Sequence, residues 1–155
     1  MTERPLWAPW RIEYITASKG DQCIFCDPDP AHLVERGERC VTILNAYPYA
    51  PGHVMVAPTR HVGDLEALDE HELLELMHRA QRVLAAQRIA MNPDGFNLGL
   101  NLGKVAGAGI ADHLHLHVVP RWDGDNNFMP VLADTHVIPQ ALEETRKVLV
   151  KALPR

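Results

Sequence analysis

His113-Leu114-His115-Leu116-His117-Val118-Val119 is the stretch on which the reading of this chain turns. Three histidines alternate with aliphatic residues. In an extended strand, successive side chains point to opposite faces. The three imidazoles therefore belong to one face, with Leu114, Leu116 and Val118 on the other. The aliphatic face can seal a core while the imidazole face lines a site. Much of a histidine population is neutral near pH 7 and serves as nucleophile, base or metal ligand. Three readings follow. The strand can simply carry histidines on a polar face. It can be part of a catalytic zinc site, in which His-x-His and a distant ligand leave one coordination position open. Or it can carry out phosphoryl or nucleotidyl transfer, with one imidazole attacking phosphorus and its neighbours orienting it and binding oxyanions.

A length of 155 residues suits a single domain with a substantial core, and 46% hydrophobic with 23% charged residues is ordinary for a globular protein. The formal charge of −5 supplies no electrostatic drive toward nucleic-acid backbones. There is no opening apolar run of signal-peptide form and no apolar stretch of membrane-spanning length, so no membrane partner and a cytoplasmic location are expected. Three cysteines do not make a disulfide framework at this size. Cys23 and Cys26 form a Cys-x-x-Cys pair, which is half of a zinc site or a redox motif. Cys40 opens an apolar segment and reads as a small core residue.

No internal repeat or low-complexity segment interrupts the chain. Residues 1–22 read as an N-terminal arm carrying Trp7, Trp10 and Tyr14, with Pro5 and Pro9 against a helix. Cys40 to Leu44 reads as a strand, residues 45–52 as turn chemistry, and His53 to Ala57 as the next strand, closed by Pro58. Asp69 with Glu72 is a capping-box pattern. Leu73, Leu76, Met77, Ala80, Val83 and Leu84 recur at helical spacing and predict a core-facing helix over about 70–91, stopped by Asn92-Pro93-Asp94-Gly95. Phe96 to Leu102 reads as a strand, Gly103 to Gly109 as a loop, and His113 to Val119 as the triad strand. In the C-terminal extension, residues 121–155, positions 121–135 look irregular and Pro139 to Leu149 reads as a short helix. Strands in sequence around one long helix predict an α+β fold with a mainly antiparallel sheet.

The alternating motif resembles that of the histidine triad (HIT) nucleotide-binding proteins, His-φ-His-φ-His-φ-φ. The likeness extends to Leu44-Asn45, to Pro51-Gly52-His53-Val54-Met55-Val56-Ala57-Pro58, and to Pro120-Arg121-Trp122 with Gly124-Asp125-Asn126-Asn127-Phe128. The last stretch and the opening Leu6-Trp7-Ala8-Pro9-Trp10-Arg11 look like the bacterial diadenosine tetraphosphate phosphorylase-like branch. The resemblance implies a HIT-like fold and a homodimer.

It also implies roles. His115 matches the nucleophile, which attacks the α-phosphorus of a nucleotide and forms a covalent nucleotidyl-histidine intermediate. His117 matches the histidine that contacts phosphate oxygens or the leaving group. His53 matches the upstream histidine of the hydrogen-bond chain that orients the nucleophile, and a histidine capping a hairpin is the alternative. Asn45 matches a ribose-binding position, and it is equally a favoured turn residue. Asn101 falls where relatives place a nucleotide-contacting amide, between Gly99 and Gly103. Gly107 and Gly109, in Gly107-Ala108-Gly109, can offer backbone N–H groups to phosphate, although the stretch is not a P-loop. Gly109 and Ile110 stand where many relatives carry Gln and Ser or Thr, so those side-chain phosphate contacts are absent here.

Several bacterial HIT proteins hold a structural zinc, and the matching ligands are Cys23, Cys26, His61 and His113, with His32 a possible replacement. Two thiolates and two imidazoles make a closed tetrahedral site. No organic cofactor is expected. The activity implied is cleavage of dinucleoside polyphosphates with phosphate or water as acceptor. Hydrolysis of adenosine phosphoramidates and a nucleotide-binding sensor with little turnover are the rival readings.

Overall fold

The computed structural model describes residues 22–125 and 141–155. The N-terminal arm lies outside the described residues except for Gln22, and so does Pro139. Five strands form one antiparallel sheet: β1 (Leu33–Arg36), β2 (Cys40–Leu44), β3 (Val54–Pro58), β4 (Gly95–Leu100) and β5 (Leu116–Arg121), in the order β1-β2-β3-β5-β4. Among the described residues two α-helices, α1 (Glu70–Met91) and α2 (Leu142–Ala152), complete the α+β fold.

Alternation along the strands separates two apolar layers. Cys40, Leu44, Val54, Val56, Leu114, Leu116 and Val118 pack in the layer that holds Leu76, Ala80, Val83 and Ala86 of α1 and Leu149 of α2. Phe25, Val41, Ile43, Met55 and Ala57 form a smaller cluster on the opposite face. The long helix thus covers one side of the sheet and leaves the other for a site. Truncating a side chain such as Leu76, 2% exposed, would cost about 2–5 kcal/mol.

The expected bounds of α1 hold because its ends are chemically specified. The Asp69 side chain accepts from the Glu72 N–H while the Glu72 side chain accepts from the Asp69 N–H. At the other end Asn92 is left-handed, with φ 47°, and Pro93 follows. The expected apolar stripe is narrower than the spacing suggested. Leu73 and Met77 are exposed, because the sheet meets only the face carrying Leu76, Ala80 and Val83. Arg60 reaches from the segment after β3 to both Glu72 oxygens, 2.8 and 2.9 Å away, and ties that segment to the helix start.

Several element bounds differ from expectation, β3 by one residue at each end. Strand β1 has no counterpart in the sequence reading: four residues with a bulge between Leu33 and Glu35 are too short to show a period. β4 runs from Gly95 to Leu100 instead of the expected Phe96 to Leu102, and α2 runs on to Ala152, past the expected end at Leu149. The triad strand begins only at Leu116, where pairing with Val56 starts. Further along β3 stands Pro58, which has no N–H to extend a ladder, and the Leu114 N–H instead donates to Val62 O at 2.7 Å.

The turn before β3 requires glycine. Gly52 has φ +80°, and a Cβ there would lie 2.6 Å from Met91 Sδ. Its carbonyl accepts from the buried Gln87 side chain at 2.9 Å, which anchors the turn to α1. This turn delivers His53.

Candidate active site

The three triad imidazoles do lie on the face away from α1, as the alternation requires. His113 and His115 pack on Phe25, and His117 is paired across the ladder with Met55. The triad nonetheless divides into two environments. His113 joins Cys23, Cys26 and His61. His115 and His117 line a cavity of about 410 Å³.

Hydrogen bonds set the tautomers. His115 is buried, and its Nδ1 lies 2.8 Å from His113 O. A carbonyl only accepts, so Nδ1 carries the proton and Nε2 keeps its lone pair. Burial holds the His115 pKa below the ordinary histidine value, against the opposing pull of the His113 carbonyl. The neutral, nucleophilic form is therefore favoured.

A second chain starts at the turn. The Tyr49 N–H donates to His53 Nδ1 at 3.1 Å, and Asn45 Nδ2 stands 3.4 Å from the same atom. A neutral His53 consequently has its proton on Nε2, 2.8 Å from His117 Nδ1. His117 then accepts at Nδ1 and carries its own proton on Nε2. Its ring centroid is 4.9 Å from that of His115. The pair comprises a lone-pair nitrogen and an N–H donor side by side, which is what displacement at a phosphoryl centre uses.

Asn45 follows β2 directly. It supports the turn locally, its Oδ1 accepting from the Tyr47 N–H at 2.9 Å, and it also lines the cavity. Gly107 and Gly109 line it too. The backbone N–H of Gly107 donates to Lys104 O and that of Ala108 to Gly103 O, so these two amides serve the loop. Asn101 does not line the cavity. Its Nδ2 approaches Gly107 O at 3.5 Å, so its contact is with the loop.

Sequence reasoning passed over several lining residues. Ile24, Phe25 and Ile43 supply apolar wall, and Asp27, Asp29 and His32 supply polar wall. His32, weighed as a replacement metal ligand, lies on this wall and outside the metal cluster. The position of Phe25 between two cysteines was the available signal.

The Cys/His cluster fits a tetrahedral ion. Cys23 Sγ is 3.2 Å from His113 Nδ1, Cys26 Sγ is 3.3 Å from His61 Nδ1 and 3.6 Å from His113 Nδ1, and the two Nδ1 atoms are 3.2 Å apart. Zinc with bonds of about 2.3 Å to sulfur and about 2.0–2.1 Å to nitrogen has ligand–ligand edges of roughly 3.3–3.8 Å. These four distances are close to those edges, and all four ligand atoms lie within 4.8 Å of one another. His113 Nε2 lies 2.8 Å from Pro58 O, so its proton sits there and the Nδ1 lone pair faces the cluster. Neither His115 nor His117 is among the four ligands, which leaves a zinc-bound nucleophile acting through the triad without a coordinating histidine in the cavity.

A five-stranded antiparallel sheet, one helical layer, and alternating histidines on the open face define a histidine triad domain. The HIT domain family model matches residues 28–124, and the chain belongs to this family. Within it, the chain is 40% identical over 158 aligned positions to the AP-4-A phosphorylase of Mycobacterium tuberculosis (strain ATCC 25618 / H37Rv), covering 93% of this chain and 81% of that protein. It is 35% identical over 92 positions to the bis(5'-adenosyl)-triphosphatase of Dictyostelium discoideum, covering 58% and 61%. Among solved structures, a Zn-bound histidine triad family protein from Mycobacterium smegmatis superposes with a TM-score of 0.68 at 30% identity, covering 84% of this chain and 92% of that one. No described helix is long and apolar enough to cross a membrane.

Proposed function

We propose that this protein is a nucleotidyl-transferring enzyme that cleaves dinucleoside polyphosphates through a covalent nucleotidyl-His115 intermediate. The observation that carries the reading is the bond from His115 Nδ1 to His113 O, which leaves Nε2 as the only nucleophilic nitrogen of a buried ring. The similarity to a protein named AP-4-A phosphorylase supports diadenosine tetraphosphate as substrate.

In this mechanism His115 Nε2 attacks the α-phosphorus. The bond from phosphorus to the bridging oxygen breaks, and ATP leaves. His117 Nε2–H donates to the developing charge on the departing phosphate, and His53 holds the His117 ring by accepting from the turn and donating to Nδ1. Inorganic phosphate then attacks the nucleotidyl-His115 phosphorus, frees His115 and gives ADP. Asn45, Gly107 and Gly109 line the cavity, which supports a reading in which Asn45 pairs with ribose hydroxyls and the glycine loop borders the phosphates. The similarity to a triphosphatase favours a second reading, in which water is the acceptor and AMP is released.

Cys23, Cys26, His61 and His113 would hold a zinc ion. With four protein ligands it supplies no open position, so its contribution is to fold and not to chemistry. A homodimer is supported by β4, whose outer edge has no strand partner among the described residues and whose Leu98 is exposed, as is Leu102 beyond it. A cytoplasmic location fits the three free cysteines.

The test is product analysis with diadenosine tetraphosphate, with and without inorganic phosphate. ADP plus ATP only in the presence of phosphate is the expected outcome. AMP plus ATP regardless of phosphate makes the enzyme a hydrolase. No turnover in either case rejects this substrate and moves adenosine phosphoramidates and a sensor role forward.

A further inference from the structure

We propose that Phe25 is a positioning residue for His115, and that the Cys/His cluster holds Phe25 in place to do this. The inference rests on the reading of His115 as the nucleophile. Phe25 sits between Cys23 and Cys26 and is 1% exposed. Its ring stacks on His115, with centroids 4.9 Å apart and planes at 27°, and lies against His113 at 5.0 Å and 47°. The loop carrying it is a tight turn, in which the Cys26 and Asp27 N–H groups both donate to Cys23 O at 3.1 Å.

The two contacts on His115 do different work. The terminal torsion of a histidine is broad. The hydrogen bond to His113 O fixes where Nδ1 lies, but the ring can still rock about that bond. A ring stacked on its face removes the rocking and so fixes the direction of the Nε2 lone pair. Both contacts lead to the cluster. His113 is itself a member, and the backbone on each side of Phe25 ends in a cluster thiol. Displacing the cysteines would let Phe25 shift and free the nucleophile to turn, though both lie outside the cavity.

The experiment compares wild type, Phe25→Leu and Phe25→Tyr, each loaded with zinc, together with wild type after chelation. Long-range proton–nitrogen NMR of the histidine side chains reads the His115 ring without reference to any substrate. Single-turnover nucleotidyl transfer and nucleotide affinity are measured alongside. Wild type is expected to show one sharp Nδ1–H form of His115. Phe25→Leu should broaden or mix that signal at unchanged zinc content and slow the covalent step roughly 10- to 100-fold, as expected for a misaimed nucleophile. Its nucleotide affinity should fall much less. Phe25→Tyr, which keeps the ring, should restore both readouts. Chelated wild type should reproduce the broadened signal. A loss confined to affinity would make Phe25 only a wall of the nucleotide site and overturn the proposal. An unaltered His115 signal in Phe25→Leu does the same, and an unaltered signal on chelation overturns the part assigned to the cluster. The NMR arm needs no substrate, so failure of the proposed reaction leaves it informative, and chelated wild type needs no variant to fold.

Discussion

His53 Nε2 lies 2.8 Å from His117 Nδ1, joining the turn before β3 to the middle of the sheet on β5. The backbone N–H of Tyr49 on the far side of His53 decides which way this bond points. Replacing His53 by Ala should therefore release the His117 ring. Turnover is expected to fall about 10²-fold through kcat, with KM little changed. Steady-state kinetics check this, and a change in KM alone would assign His53 to substrate binding.

His115→Ala removes the attacking nitrogen and leaves the cavity walls in place. Turnover should drop on the order of 10⁴-fold or more, by analogy with loss of other enzymatic nucleophiles, while AMP affinity stays near that of wild type. Mass spectrometry of quenched wild-type reactions should find one nucleotidyl adduct, absent from the variant. An adduct surviving in His115→Ala would place the nucleophile elsewhere.

Thiol labelling separates the three cysteines. Burial pushes the Cys40 thiol up to about 12, so at pH 8 it is a protonated, enclosed thiol and should resist alkylation while the protein is folded. Cys23 and Cys26 should be protected while zinc is bound and should react after chelation, with a lowered melting temperature. Peptide mapping reads the sites. Labelling of Cys40 in the folded, chelated protein would contradict its place in the core.

Glu72 links acid stability to the start of α1. Arg60 foremost, then the Asp69 N–H and the charge of Arg39, hold its carboxyl below the usual carboxylate range against the opposing cost of burial. The ionised form is thus favoured by folding. Its contribution is fully present above the unfolded pKa of about 4.3 and is lost as pH falls through the lower folded value. Glu72→Gln should lose stability at pH 7 by about 1 kcal/mol, the scale of a hydrogen bond lost to Arg60 when an amide nitrogen replaces one accepting oxygen. It should also show a shallower fall below pH 4 in urea melts. Parallel curves for the two proteins would rule out this linkage.

The outer edge of β4 gives a prediction about assembly. Leu98→Lys places a charge on the exposed face of that strand. Light scattering should show a dimer for wild type and a monomer for the variant. A wild-type monomer at micromolar concentration would remove the dimer from the proposed function.

The features legible in the order of residues are those written in short-range chemistry. Alternation from His113 to Val119 set which side chains face α1 and which face the site, because the period of an extended chain is two. Asp69, Glu72 and Asn92 set the ends of α1, because caps act within one turn. The likeness to HIT proteins supplied the four cluster residues that the fold brings together. Features that depend on distant partners arise only when the chain packs. Packing ended the ladder at Leu116, with Pro58 two residues past Val56 on β3, and it made a strand of Leu33–Arg36 because β2 was beside it. It exposed Leu73 and Met77, sent His32 to the cavity wall, and laid Phe25 on His115 across a separation of ninety residues in the chain. Contacts of that kind leave no local period, since their strength comes from surfaces that meet only once the sheet has formed.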